Sequence, residues 1–214
     1  MQVLVYGNWN YQSKNIKPFF TASYSESEKE IVSKTNIDLG VRFIFVGSLV
    51  TGKNPIYAVK LIHNLIKERN KVTLNIYGEG SETLPLEDYI RNNQLEDYIV
   101  LNGNQSKETV KKAYMESHFV ILPSKSEGWP KAIAEGMFWG CVPLSTSVSC
   151  IPFMLDFGKR GILLTMNLQN DTSQITALLK NKTDFENKSE MGSSWSRSFT
   201  TDIFETEIKK LLAK

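Results

Sequence analysis

The chemistry this sequence offers centres on two carboxylates and one lysine. Glu127 and Glu135 stand eight positions apart. Glu127 lies in the polar stretch after the apolar run at residues 119–122, and Glu135 lies in a segment of helical spacing opened by Pro130. An ionised carboxylate presents two acceptor oxygens and can take both hydrogens of a vicinal diol. With Pro130 as the first helical residue, Glu135 lies roughly 7–8 Å along the helix axis, so the two carboxylates span neighbouring parts of one ligand. A glycosidase-type acid and base would instead flank a single bond. The amides of Gly128, Trp129 and Lys131 stand at the positive end of the same helix and suit an anion, whereas Pro130 has no amide to give. Gly136, in mid-helix, costs about 1 kcal/mol relative to alanine and signals close packing on that side.

Lys53 ends a second loop of interest, residues 47–54, with Gly47, Ser48 and Gly52 before it and Pro55 after it. Glycine lets the backbone approach a ligand, a following helix start favours negative charge, and a mobile ammonium suits a diphosphate. No Ser or Thr follows Lys53, so the loop is not a Walker A motif. Gly78, Glu79 and Gly80 begin a dinucleotide fingerprint, but its third glycine is missing and no clear acidic partner follows about 20 positions on. That argues against a nicotinamide dehydrogenase.

The elements that must hold these loops alternate. Strands are expected at residues 41–46, 72–77, 98–101, 119–122, 142–144 and 161–164. Helices are expected at 55–69, 84–93, 106–116, 130–139, 171–179, 185–196 and 201–212, with one turn at 152–155. Asp171 or Thr172 would cap the helix at 171, and Ser106 the one at 106. This alternation predicts an α/β fold, a Rossmann-like parallel sheet with helices on both faces. Ligands bind such sheets outside the carboxyl ends of the strands, which selects the loops at 47–54, 78–80, 102–105 and 123–129. Residues 1–40 form a leading segment: a short strand at 3–6, a loop at 7–17, and a helix at 25–34 opened by the capping box of Ser25 and Glu28. Residues 41–214 form the main domain.

Bulk properties narrow the classes. A charged fraction of 22% with a net charge of only +2 gives no basic face for nucleic acid. No apolar run reaches the ~18–20 residues of a membrane span, and the start lacks a signal-peptide pattern, so a cytoplasmic protein is expected. Cys141 and Cys150 form no CxxC, so buried free thiols are expected rather than a metal site or a disulfide framework. His63, on an apolar helical stripe, and His118, before a strand, read as structural. Trp195, Phe199 and Phe204 are expected to pack the terminal helices onto the sheet.

Phe45, Val46, Gly47, Ser48 and Leu49, then Lys53, then the Glu127 and Glu135 pair with Gly128 and the run Gly140, Cys141, Val142, Pro143, together resemble the C-terminal half of a retaining family-four glycosyltransferase of group 1 type. The likeness is strongest over residues 41–165. It implies the GT-B architecture, two Rossmann-like domains around a cleft, with this chain as the donor-binding half. By this resemblance Glu127 holds donor-sugar hydroxyls, Glu135 holds the nucleotide ribose, and Lys53 neutralises the diphosphate with help from the amides of Gly128, Trp129 and Lys131. Glu127 and Lys53 are the residues implied in catalysis. Gly47 and Ser48 border the phosphates, while Gly78, Gly103 and Asn104 line the ribose and base. No metal and no cofactor is implied.

The partners implied are a nucleoside-diphosphate sugar, an N-terminal acceptor domain outside this chain, and a glycan or lipid-linked acceptor. Nucleic acid is not among them, nor is a transmembrane segment. The whole protein would be cytoplasmic and peripheral at the inner face of the membrane. Alone, the chain would bind nucleotide weakly and transfer little or no sugar. Two departures stand out. Ser48 occupies a position where the family usually carries arginine, and Trp129 with Pro130 replaces the usual Phe-Gly. Ser48 favours the alternative of a non-catalytic nucleotide-sugar binding or regulatory module.

Overall fold

The computed structural model describes residues 3–7, 14–30, 32, 34 and 36–213. Strands β1 (Val3–Tyr6) and β2 (Ile16–Phe19) pair in parallel as a separate two-stranded sheet. The main domain then runs β3 (Val41–Val46), α1 (Pro55–Lys67), β4 (Val72–Tyr77), α2 (Thr83–Asn92), β5 (Ile99–Leu101), α3 (Lys107–Glu116), β6 (Phe119–Leu122), α4 (Lys131–Phe138), β7 (Val142–Thr146), α5 (Ile151–Met154), β8 (Ile162–Leu164), α6 (Leu168–Leu179), α7 (Lys182–Ser196) and α8 (Thr201–Leu212). Its six strands are all parallel, in the order β5-β4-β3-β6-β7-β8.

The central strands are apolar on both faces, as helices above and below require. Phe43, Ile44 and Phe45 of β3 and all of β6 are buried. Phe43 and Phe119 are register partners across the junction of β3 and β6, with rings 4.8 Å apart and tilted by 12°. Such a cross-strand pair fixes register where the sheet reverses its winding. From β3 the chain winds outward through β4 to β5, then α3 carries it back to β6 and on to β8. The carboxyl ends of β3 and β6 therefore flank the switch point, where open α/β sheets bind ligands.

Several boundaries differ from expectation for local reasons. The helix expected at 25–34 shrinks to one 3-10 turn, Glu26–Glu28, although the Ser25 amide does donate to Glu28 Oε2 at 3.0 Å. Tertiary partners take the groups a helix would use: Arg197 donates to the Glu30 carbonyl at 2.6 Å, Lys111 pairs with Glu28 at 3.1 Å, and Lys34 donates to the carbonyls of Tyr114 and Ser117. Ile31, Ser33 and Thr35 lie outside the described residues, as does 8–13 of the expected loop; the rest of that loop ends in β2. Helix α4 starts at Lys131, with Pro130 as its cap residue. Helix α6 starts three residues earlier than expected, capped by Asn167 Oδ1 on the Asn170 amide at 3.0 Å.

Asp171 is instead fully buried. It accepts from the Thr165 amide and hydroxyl at 2.8 and 2.7 Å and from Tyr57 at 2.5 Å, which ties α6 to α1 and to the end of β8. Helix α7 begins at Lys182, three residues before the expected start.

The cysteines and histidines stand as expected, while the terminal aromatics differ in their partners. Cys141 and Cys150 are free and buried. His118 is fully buried, its Nδ1 accepting from the Arg42 amide at 2.9 Å, and His63 lies 3.0 Å from the Tyr89 hydroxyl. Trp195 and Phe199 pack not directly on the sheet but on Trp129 and Phe20, with Phe199 and Phe20 rings 4.8 Å apart; Phe204 meets Phe20 and Phe19. These rings bind α7 and α8 to the leading segment and to the turn before α4.

Candidate functional site

Lys53 and Glu127 meet across the switch point. The loop after β3 brings Lys53, the loop after β6 brings Glu127, and Nζ lies 2.6 Å from Oε1. The Glu127 side chain is only 5% exposed and that of Lys53 31%, so a nearly buried carboxylate relies on a cation that still reaches solvent. Backbone geometry sets both. The amides of Lys53 and Asn54 donate to the Val50 carbonyl at 2.9 and 3.2 Å, and left-handed Asn54 then turns the chain into Pro55 at the first position of α1. The Lys125 amide donates to Gly52 at 2.8 Å and ties the two loops together.

The glycines of the neighbouring loops serve close packing. A Cβ on Gly78 would collide with the Gly47 carbonyl, and one on Gly80 with that of Leu49. The Leu49 amide donates to Glu79 at 2.9 Å, and the Gly78 amide to Gly103 at 2.8 Å. Asn104 reaches Glu79 Oε2 at 3.1 Å. The loops after β3, β4 and β5 thus form one layer that holds Gly47, Ser48, Gly78, Gly103 and Asn104 together. Gly47 has φ +149° and no atom within 4 Å of where a Cβ would sit, so the layer is open above it. Ser48 is exposed.

The turn that carries Glu127 is held from behind. The Gly128 carbonyl accepts from Cys150 Sγ at 3.1 Å and from Ser149 Oγ at 3.4 Å. Burial pushes the Cys150 thiol up to about 11, with the charge of Glu127 adding to the shift, so the sulfur keeps its proton and remains a donor. The Trp129 ring is buried among Tyr6, Phe20, Trp195 and Phe199, which leaves its main chain to face the loop. Lys131 is exposed at the start of α4.

Glu135 does not join Lys53 and Glu127. It is half-buried under the leading segment, where Ser23 Oγ donates to it at 2.6 Å, and the space beside it is about 10 Å3. Burial raises its carboxyl above the ordinary value; the hydrogen bond from Ser23 and the charges of Lys131 and Lys107 oppose that only in part. Gly136 is the expected close approach: a Cβ there would lie 2.5 Å from Val120 Cγ1. Tyr6, Ser23 and Tyr114, which shape the site from outside the two motifs, were not marked by sequence, and Cys150 was expected only as a buried free thiol.

A cavity of about 640 Å3 lies elsewhere, at the other end of the sheet, between Val32, Lys34, Asn36 and Ile37 on one side and α7 on the other. Among the described residues no group of three or more His, Cys, Asp or Glu side chains converges as a metal site, and no helix is long and apolar enough to cross a membrane.

A switch-point crevice lined by glycine loops, with the six-strand order seen here, is the plan of the donor-binding half of a GT-B glycosyltransferase. The chain belongs to the glycosyl transferases group 1 family, which matches residues 27–194. It is 25% identical over 204 residues to an uncharacterized glycosyltransferase of Methanocaldococcus jannaschii, covering 94% of this chain and 56% of that protein. The pneumococcal O-GlcNAc transferase GtfA, solved with UDP and GlcNAc, superposes with a TM-score of 0.76 at 20% identity, over 96% of this chain and 41% of that one. Anabaena HepE, solved with UDP and glucose, also gives 0.76, at 14% identity, over 94% and 58%. The chain thus spans 41–58% of the length of these relatives.

Proposed function

We propose that this chain is the donor-substrate domain of a glycosyltransferase. It binds a nucleoside-diphosphate sugar over Gly47 and between Lys53 and the turn at Glu127, for transfer with retention of configuration to a glycan or lipid-linked acceptor. The observation that carries this reading is the Lys53 and Glu127 ion pair at the switch point. In the unliganded chain each group satisfies the other. A bound donor replaces both halves of the pair: Lys53 turns to the diphosphate, and Glu127 accepts from sugar hydroxyls. As the sugar–phosphate bond breaks, Lys53 and the amides at the start of α4 stabilise the leaving diphosphate. Gly128, Trp129 and Lys131 contribute through the main chain, and Lys131 adds a second exposed ammonium. Same-face attack needs no protein nucleophile.

Contact between Glu135 and the ribose requires Ser23 to give way, so on this reading the leading segment shifts when donor binds. Strands β1 and β2 fit the same reading. A two-stranded sheet is marginal alone, and Val3, Leu4 and Tyr6 are each about 40% exposed, as expected of strands completed by an acceptor-side domain. Ser48, exposed and uncharged, favours the second reading, a binding module without transfer.

Calorimetry with UDP and UDP-glucose tests the assignment. Glu127→Gln should weaken UDP-glucose and spare UDP, while Lys53→Met should weaken both. Equal losses for both ligands in Glu127→Gln would remove Glu127 from the sugar.

A further inference from the structure

The turn bearing Glu127 touches the leading strand through a short chain of contacts. Gly7, just past β1, has φ +79°, and a Cβ on it would lie 2.7 Å from Cys150 Cβ. No other residue fits there without moving Cys150. Cys150 in turn donates its thiol proton to the Gly128 carbonyl at 3.1 Å. Tyr6 closes the other side: its ring lies 3.6 Å from the position of a Gly128 Cβ, and it packs against Trp129 at 6.0 Å between centroids. Cys150 is itself anchored as the cap residue of α5, its sulfur 3.7 Å from Met154 Sδ, and Ser149 before it holds a left-handed φ of 50°. The Gly128 carbonyl, one peptide from Glu127, is thus gripped between a fixed loop after β7 and the end of β1.

We infer that Cys150 is a positioning residue for Glu127, and that β1, bearing on Cys150 through Gly7 and on Gly128 through Tyr6, sets how Glu127 faces the sugar. The inference rests on the donor reading of Glu127 and extends it. A shift of β1 changes sugar binding more than diphosphate binding: Lys53, the side chain that meets the diphosphate, makes none of these contacts, and only the amide of the Gly128–Trp129 peptide is shared between the two sides. The thiol acts as a protonated donor, so a hydroxyl serves in its place and an isosteric hydrocarbon does not.

The test compares Cys150→Val, Cys150→Ser and Gly7→Ala with the wild-type chain by two readouts: calorimetry with UDP and with UDP-glucose, and amide hydrogen exchange of peptides spanning residues 125–130. Loss of one hydrogen bond at this carbonyl corresponds to about a fivefold weaker UDP-glucose complex. Cys150→Val and Gly7→Ala are expected to show that loss, with a clearly smaller loss for UDP alone and faster exchange confined to 125–130; an equal loss for both ligands would overturn the positioning of Glu127. Cys150→Ser is expected to restore both readouts. If Glu127→Gln loses UDP-glucose affinity but Cys150→Val does not, the positioning role fails while the donor reading stands. If Glu127→Gln loses nothing, the donor reading fails, and exchange alone decides the positioning role: unchanged exchange at 125–130 in Cys150→Val overturns it.

Discussion

The ion pair at the switch point predicts an asymmetric double-mutant cycle. Lys53→Met leaves the Glu127 carboxylate, 5% exposed, without its cation, whereas Glu127→Gln leaves an ammonium that is already 31% exposed and readily hydrated. Removing one partner of a fully buried pair costs ~3–5 kcal/mol, and an exposed pair contributes ~0–1. With one member at the surface, Lys53→Met is placed at about 2 kcal/mol. Glu127→Gln keeps an acceptor beside Nζ and is placed at about 1 kcal/mol. The double variant buries no unpaired charge, so its cost is about 1.5 kcal/mol rather than the sum of about 3. Urea unfolding of the four proteins reads this directly. Because the carboxylate is shielded, the coupling should survive at high salt, where exposed pairs are screened. A double variant whose cost equals the sum of the singles to within about 0.5 kcal/mol would show that the pair does not form in solution.

Two further outcomes follow from packing and burial around α4. Gly136→Ala gains about 1 kcal/mol of helix propensity but drives a methyl to within 2.5–3.1 Å of the Val120 side chain atoms. That branched side chain has little room to turn, and overpacking costs ~1–3 kcal/mol. Urea midpoints should show a net loss that Val120→Ala partly relieves, and a gain in stability would contradict the close approach of α4 and β6. Glu135→Gln should stabilise the chain at pH 7. Burial raises this carboxyl above its ordinary 4.5 in the fold, so the native state binds its proton at higher pH than the unfolded chain does. Wild-type stability therefore rises as pH falls from the raised value towards 4.5 and is penalised above it. The advantage of the glutamine variant should shrink on acidification, and an advantage that grew would contradict the burial.

The sheet was legible because its signal is local. The apolar runs of β3, β4 and β6 and the stripe on α1 announce themselves, and their alternation points to a parallel sheet with its ligand loops at the carboxyl ends; the strand order, and with it the switch point, is set by contacts that alternation does not contain. Gly136 was legible as close packing, though its partner Val120 was not; Gly78 showed only as part of a glycine turn, and that it packs on the Gly47 carbonyl was hidden. What was hidden depends on contacts across the chain. Arg197 and Lys111 divert the backbone and side chain of a segment whose capping box promised a helix. Asp171 looked like a helix cap and is a buried acceptor for Tyr57 and Thr165. Trp129 stood in a binding motif, yet its ring belongs to an aromatic cluster built from the two ends of the chain. The two glutamates were legible as a pair by spacing, but one is matched with Lys53 and the other lies under Ser23, a difference no spacing rule contains.

Binding at the switch-point crevice is tested most directly by following backbone amides in a 1H–15N titration of the chain with UDP-glucose. Shifts are predicted at residues 47–54 and 127–132, with Ser23 and Tyr24 responding as Glu135 is uncovered. Shifts confined to the groove between Ile37 and α7, or none at saturating ligand, would contradict it.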